Sequence, residues 1–422
     1  MSDFDIEAVR SQFPALAEDQ VFFDNAGGSQ TLGTVIEAIR DYLSRTNVQL
    51  GASYKAGRAS TERYDAGFAA GARYVNAEDE SEIVLGASTT QLLRNVSFAL
   101  EFDEGDEIIV SSIDHEANIA PWVDLAARQK LVVKWWTPSL SPPSPSPSLS
   151  SSSATATTTN PNPQLHPSNL APLLTSRTRL VTCTHASNIL GSIHPIAAIA
   201  AEVRAGPSPS ALVVVDGVSY APHRPVDVRA FGVDVYVFSW YKVYGPHIAQ
   251  LYASPRAQSQ MRSLGHFFKK GVTLEEKIGL AGASYELVHS LPALTSYLAS
   301  PSPSPWASKI DQEEALQTAL LAYLTARPDV TIYGAATAST AARVSTISFR
   351  VAGWASPDVV AAVEKTTNIG FRWGTFYSER LVKDLLGLDD GGIVRVSMVH
   401  YNSLDEVKAF IEAMEKYVPR KA

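Results

Sequence analysis

The segment Val213-Val-Val-Asp-Gly-Val-Ser-Tyr-Ala-Pro-His223 decides the architecture. Three valines in succession run into an acid and a glycine, so the strand expected over Ala211 to Val218 is apolar on both faces and has to be covered on both. Six further runs read the same way: Glu82 to Gly86, Asp106 to Ser112, Leu131 to Trp136, Arg179 to His185, Val233 to Ser239 and Ile248 to Ser254. Helix-period segments at Thr90 to Leu100, Asn118 to Lys130 and Pro195 to Ala205 lie between them. That alternation predicts an α/β fold whose large domain carries a mostly parallel, seven-stranded sheet.

Farther along the chain the rhythm changes to helix (Asp311 to Thr325), strand (Arg343 to Val351), helix (Pro357 to Lys365), strand (Gly392 to Met398) and helix (Leu404 to Tyr417), a smaller α+β domain. The expected division is a large domain over 21–290, a small domain built from 1–20 and 306–422, and a linker over 291–305. Within the large domain, 20 of the 26 residues from Pro138 to Pro163 are Pro, Ser or Thr. Such a composition cannot bury enough surface to offset its chain entropy, so 138–163 reads as a disordered insertion.

Composition narrows the function. The chain has 422 residues, 45% of them apolar, enough for a large core, and its one cysteine, Cys183, excludes an internal disulfide and a Cys-rich zinc site. The formal charge of −8, without a Lys/Arg run, argues against nucleic acid as a partner. The first twenty residues hold five acids and one arginine, unlike a secretory or transit signal, and no apolar run approaches the roughly 18 residues needed to cross a membrane. The expectation is a soluble, cytoplasmic protein. Nine histidines without ligand spacing give no metal site.

In open α/β sheets ligands collect beyond the carboxyl ends of the strands, which is where Asp216 falls. Capping a turn with Gly217 is the alternative reading. Lys242, in Phe238-Ser-Trp-Tyr-Lys-Val-Tyr-Gly-Pro246, follows another apolar strand, where partial desolvation would lower its pKa and suit it to Schiff-base chemistry. Pyridoxal phosphate needs a lysine of this kind, an acid facing its pyridine nitrogen and a phosphate cradle. Gly86-Ala-Ser-Thr-Thr-Gln91, at a strand-to-helix junction, offers free N–H groups and hydroxyls for the cradle, although a plain helix cap would look the same. His115 could stack on a flat cofactor or serve as a hydrogen-bonded helix-start residue, and Asn188 could donate to the cofactor's phenolate oxygen or hold a turn. Arg395 sits inside an apolar strand and needs an anionic partner, either a substrate carboxylate or an internal acid.

In this order these residues resemble the cysteine desulfurase-like branch of the class V aminotransferases, which are fold-type I pyridoxal phosphate enzymes. The likeness runs from Val21-Phe-Phe-Asp-Asn-Ala-Gly-Gly28 to Val399-His-Tyr-Asn402. It implies that Lys242 carries the cofactor, Asp216 pairs with its ring nitrogen, His115 stacks on the ring and Asn188 approaches O3′. Thr89, Thr90, Ser239 and Tyr241 would bind phosphate, with Ser219 in place of the family's glutamine near O3′. Arg395 would grip the substrate's α-carboxylate, and Arg372, Asn25 and Tyr377 would lie near the substrate. A homodimer is implied, and Ala283 replaces a threonine that often reaches the partner's phosphate.

The loop on which desulfurases carry their persulfide-forming thiol reads Phe371-Arg-Trp-Gly-Thr-Phe-Tyr377, without cysteine. Cys183 lies on a large-domain strand instead. The closer likeness is to members lacking that thiol and to fungal decarboxylative aldolases, which implies chemistry at Cβ of a small amino acid, by β-elimination or by β-decarboxylation with an aldehyde acceptor. Aminotransfer, and a pseudoenzyme that binds the cofactor as a scaffold, are the alternatives. Reading Ser239-Trp-Tyr-Lys242 as the Ser-x-x-Lys of an acylase fails, because its companion motifs are missing.

Overall fold

The computed structural model describes residues 4–140, 160–269, 271–279, 282–299, 306–389 and 391–421. Seven strands form the principal sheet: β1 (Ile83–Gly86), β2 (Glu107–Ser111), β3 (Val132–Trp136), β4 (Thr178–Thr184), β5 (Leu212–Asp216), β6 (Val235–Ser239) and β7 (Ala249–Ala253). Their spatial order is β1-β7-β6-β5-β4-β2-β3, parallel throughout except at β7, which runs against both neighbours. Six of the seven fall inside the runs expected from the sequence, and β4 begins one residue before its expected run.

The double burial anticipated from Val213-Val-Val has a direct counterpart. Val213 and Val215 face one apolar cluster, whereas Leu212 and Val214 face another. Helices Lys55–Val75, Ile196–Ala205 and Leu291–Ala299 cover the first face, and Thr89–Ala99 and Ala120–Gln129 cover the second. Because β2, β4, β5 and β6 are parallel, Ser111, Thr184, Asp216 and Ser239 all arrive at one edge of the sheet. β7 reverses direction, so Gly86 at the end of β1 reaches the same edge beside Ala249.

A second sheet is antiparallel, with the order β10-β11-β9-β8, from β8 (Val330–Tyr333), β9 (Thr346–Val351), β10 (Arg372–Gly374) and β11 (Ile393–Ser397). With helices Trp306–Ala326, Ser356–Glu364 and Leu404–Tyr417 it encloses its own core. The N-terminal segment docks between the two parts. Phe13 packs against Tyr244 and Tyr297 on one side and His400 and Tyr401 on the other, and Arg10 pairs with Glu406 at 2.8 Å.

Three expectations need adjustment. The linker placed at 291–305 is helical over Leu291–Ala299, because Leu291, Leu294, Tyr297 and Leu298 recur at helical spacing and are buried; 300–305 lie outside the described residues. The strand expected from Arg343 begins at Thr346, because buried Arg343 turns its guanidinium onto the carbonyl oxygens of Ala335, Leu190 and Thr346. Of the insertion, 141–159 lie outside the described residues, while its flanks meet where Asn162 N donates to Leu140 O at 3.2 Å.

Candidate active site

At the shared strand edge a cavity is lined by Ser88, Thr89, Thr90, His115, Asn188, Asp216, Ser219, Ser239, Tyr241 and Lys242, among others. Nine of the residues anticipated from sequence therefore converge on one hollow. Ser88 caps the helix that begins at Thr89, its Oγ accepting from Gln91 N at 3.1 Å. The other N–H groups of that first turn lack intrahelical acceptors, and the Thr89 and Ser239 hydroxyls meet at 2.7 Å. Capping by Ser88 is compatible with an anion at the same helix start.

Asp216 is nearly fully buried and accepts from Val218 N at 2.9 Å, so it does hold the turn, as its alternative reading required. Burial raises its pKa to about 6, against the opposing pull of the Val218 amide and the Lys242 ammonium. Burial also lowers Lys242 to about 8; nearby Arg395 adds to that, while Asp216 and Asp24 oppose it. Among the described residues Lys242 has neither a hydrogen bond nor an ion pair, only the Tyr241 ring at 5.8 Å. An unengaged amine, a buried acid and a hydroxyl-lined helix start in one cavity match the three demands of pyridoxal phosphate.

His115 is held neutral, its pKa lowered to about 4 by burial and then by Lys242 and Arg395. Its Nδ1 accepts from Ala117 N at 3.0 Å, which assigns the ring proton to Nε2. Over it lies Tyr377, with ring centroids 5.3 Å apart. Tyr377 and Phe376 both have left-handed backbones, with φ of 59° and 50°, a conformation that costs non-glycine residues about 1–3 kcal/mol each. Three contacts hold this loop: Asn188 Nδ2 to Phe376 O (3.0 Å), Ser378 Oγ to Asn188 Oδ1 (3.0 Å) and Glu116 N to Tyr377 O (2.8 Å).

Asn188 lines the cavity and its amide also fastens the Phe376–Ser378 loop, leaving one of its two Nδ2 hydrogens for another acceptor. One expected role changes. Asn25 lies among protein groups, donating to Phe22 O, Ser397 O and Asn402 Oδ1 and accepting from Tyr401, which fixes it as a structural residue. Arg395 is 2% exposed and binds Asp24 at 2.7 Å, while Arg372 reaches the other Asp24 oxygen at 3.4 Å. Sequence reasoning passed over Asp24, and also over Asp114, a buried acid whose pKa burial raises to about 8, with Asp216 adding to the rise. An acid directly before His115 was the available signal for the latter.

The family model "Aminotransferase class-V" matches residues 21–141 and 151–410. The chain is 50% identical over 419 residues to the aminotransferase-like protein FGM3 of Gibberella zeae, covering 98% of both chains. It is 36% identical over 421 residues to the cysteine desulfurase-like protein ustD of Aspergillus flavus, covering 99% of this chain and 91% of that one. The apo cysteine desulfurase of Thermococcus onnurineus superposes with a TM-score of 0.83 over 97% of each chain at 24% identity, a likeness of fold. With the fold, the cavity and its amine, acid and cradle in agreement, the chain belongs to the class V aminotransferases, in their cysteine desulfurase-like branch, and is a pyridoxal phosphate-dependent enzyme.

Proposed function

We propose that this enzyme acts on a small α-amino acid at Cβ, by β-elimination or by β-decarboxylation followed by carbon–carbon bond formation with an aldehyde, and forms no protein persulfide. The observation that carries this is the thiol inventory. Tyr377 occupies the loop beside His115, while Cys183 is fully buried on β4, its pKa raised by burial and then by Asp114 and Asp216. A thiol held protonated and out of contact with the cavity cannot accept sulfur.

The bound cofactor supplies an electron sink for charge released at Cα. Around it Asp216 would face the ring nitrogen, neutral His115 the ring, and Ser88, Thr89, Thr90 and Ser239 the phosphate. Lys242, with an amine poised near neutrality, would take and return the proton at Cα. Arg395 would fix the carboxylate and with it the orientation of the bonds at Cα, and Tyr377 would screen the opening above His115 from water. Ser219 and Tyr241 would add donors at the cavity wall.

Incubating the holoenzyme with cysteine, selenocysteine or aspartate, with and without an aldehyde, should yield products altered at Cβ and leave the intact protein mass free of added sulfur. Persulfide on the protein would refute the reading. A homodimer belongs to the same proposal: a groove between Gly86-Ala87 and Gly282-Ala283-Ser284 adjoins the phosphate cradle, where a second copy could complete the site. Sedimentation should give twice the 45.5 kDa chain mass, and a monomer would count against it.

A further inference from the structure

Arg395 and Arg372 occupy directly paired positions on neighbouring strands β11 and β10, so their side chains leave the same face of the sheet. Like charges placed opposite one another in this way repel. Asp24 sits between them, one carboxylate oxygen 2.7 Å from Arg395 Nη2 and the other 3.4 Å from Arg372 Nη1. Its backbone is fixed by a bridge to Ser397 and by Gly27 N donating to Asp24 O at 2.9 Å. The side chain, by contrast, is 27% exposed.

The rest of the Arg395 guanidinium is arranged for an oxyanion. It lies 3.7 Å from the Phe376 ring centroid, Nη1 donates to Asn188 O at 3.2 Å, and Nε is buried without a partner. A carboxylate that met Nη2 and Nε together would satisfy that orphan through the paired geometry guanidinium prefers. Asp24 reaches only one of the two nitrogens.

We propose that Asp24 is a resident carboxylate that an incoming amino acid displaces from Arg395, and that Arg372 retains Asp24 when it moves. The proposal rests on the reading that Arg395 takes the substrate carboxylate. It assigns Arg372 a positioning role through Asp24 in place of substrate contact. Displacement then sets an affinity threshold: an amino acid has to outcompete an internal acid, and an amine without a carboxylate gains nothing at this site.

Glycine, which has no Cβ to react, and methylamine, which has no carboxylate, are titrated into the holoenzyme while the cofactor's visible absorption is followed. Asp24→Asn should tighten glycine by about tenfold relative to methylamine, the size expected when a charge-assisted competitor is removed; methylamine reads any effect of the lost charge on the amine itself. Arg372→Gln should weaken glycine in the wild-type background and have no effect once Asp24→Asn is present. Asp24→Ser, read in the same way, is the second variant should Asp24→Asn fail to fold.

Weaker or unchanged glycine binding relative to methylamine in the Asp24 variants overturns the proposal, as does an Arg372→Gln effect that persists beside Asp24→Asn. Arg395→Lys tests the underlying reading separately. Loss of the preference for glycine over methylamine supports that reading, and a preserved preference removes it and the proposal together.

Discussion

At the residue scale, the cavity's chemistry follows from desolvation. Burial moves Lys242 down and Asp216 up, so an amine and an acid that would differ by several units in water are brought close to neutrality side by side. Asp114 sits behind them, one oxygen accepting from Asn118 Nδ2 at 2.8 Å and the other without a partner. Its folded pKa of about 8 lies above the ordinary value near 3.9, so the native state holds this proton more tightly than the unfolded chain does. The resulting stabilisation is complete below about pH 4 and is lost as pH rises through about 8. Asp114→Asn, which keeps the shape and loses the titration, should therefore gain stability relative to wild type between pH 5 and pH 8 in urea unfolding of the cofactor-free protein. Parallel pH profiles for the two proteins would contradict this. Asp114 was missed in the sequence because its meaning depends on burial beside Asp216, and Asp24 because the two arginines it bridges lie about 350 positions away in the chain.

Among the elements, the strands of the large sheet were legible and several helices were not, for one physical reason. A strand covered on both faces is written as a nearly continuous apolar run, which β5 and β6 display. Helix Lys55–Val75 is written in glycines and alanines, a poor helical signature, because it lies too close to its neighbours for larger residues. A Cβ at Gly67 would come within 2.4 Å of Val288 O, and one at Gly71 within 2.4 Å of Gln250 Oε1. β8 and β10 escaped notice as the short edge strands of the second sheet, β10 with exposed side chains. The junction after β5 is as tight as that helix: a Cβ at Gly217 would sit 2.2 Å from the Tyr236 ring, in the turn that presents Asp216. Gly217→Ala should cost about 3 kcal/mol of stability in denaturant unfolding and weaken cofactor retention together with it. A variant of native stability would show that the turn tolerates displacement and that Asp216 is less rigidly placed than described.

At the scale of the whole molecule, the N-terminal segment packs between the two sheets' domains, and the candidate active site lies where Asn188, beyond the edge of the large sheet, bonds to Phe376 and Arg395. A Pro/Ser/Thr-rich segment interrupts the sequence of the large domain. Its described flanks are already tied together, Asn162 N to Leu140 O and Ser192 Oγ to Asn162 Oδ1 at 2.6 Å. Replacing 141–159 by a linker of about six residues should therefore change stability by no more than about 1 kcal/mol, the scale of loop-closure entropy, and leave cofactor binding intact. Loss of folding or of cofactor would mean that the segment contributes contacts of its own. No helix among the described residues is long and apolar enough to cross a membrane.

The absence of a thiol from the active-site loop was visible in the sequence, but its weight came from the structure, in which Cys183 lies sealed on β4 and Tyr377 stands over His115. The account therefore turns on which bond of the substrate breaks. The most direct measurement follows isotopically labelled Cβ substituents of aspartate and cysteine through turnover by the holoenzyme, with NMR of the products. The account predicts release of the Cβ substituent, as carbon dioxide or sulfide, with no label left on the protein. A keto acid that retains its Cβ substituent, formed with transfer of the amino group to the cofactor, would contradict it.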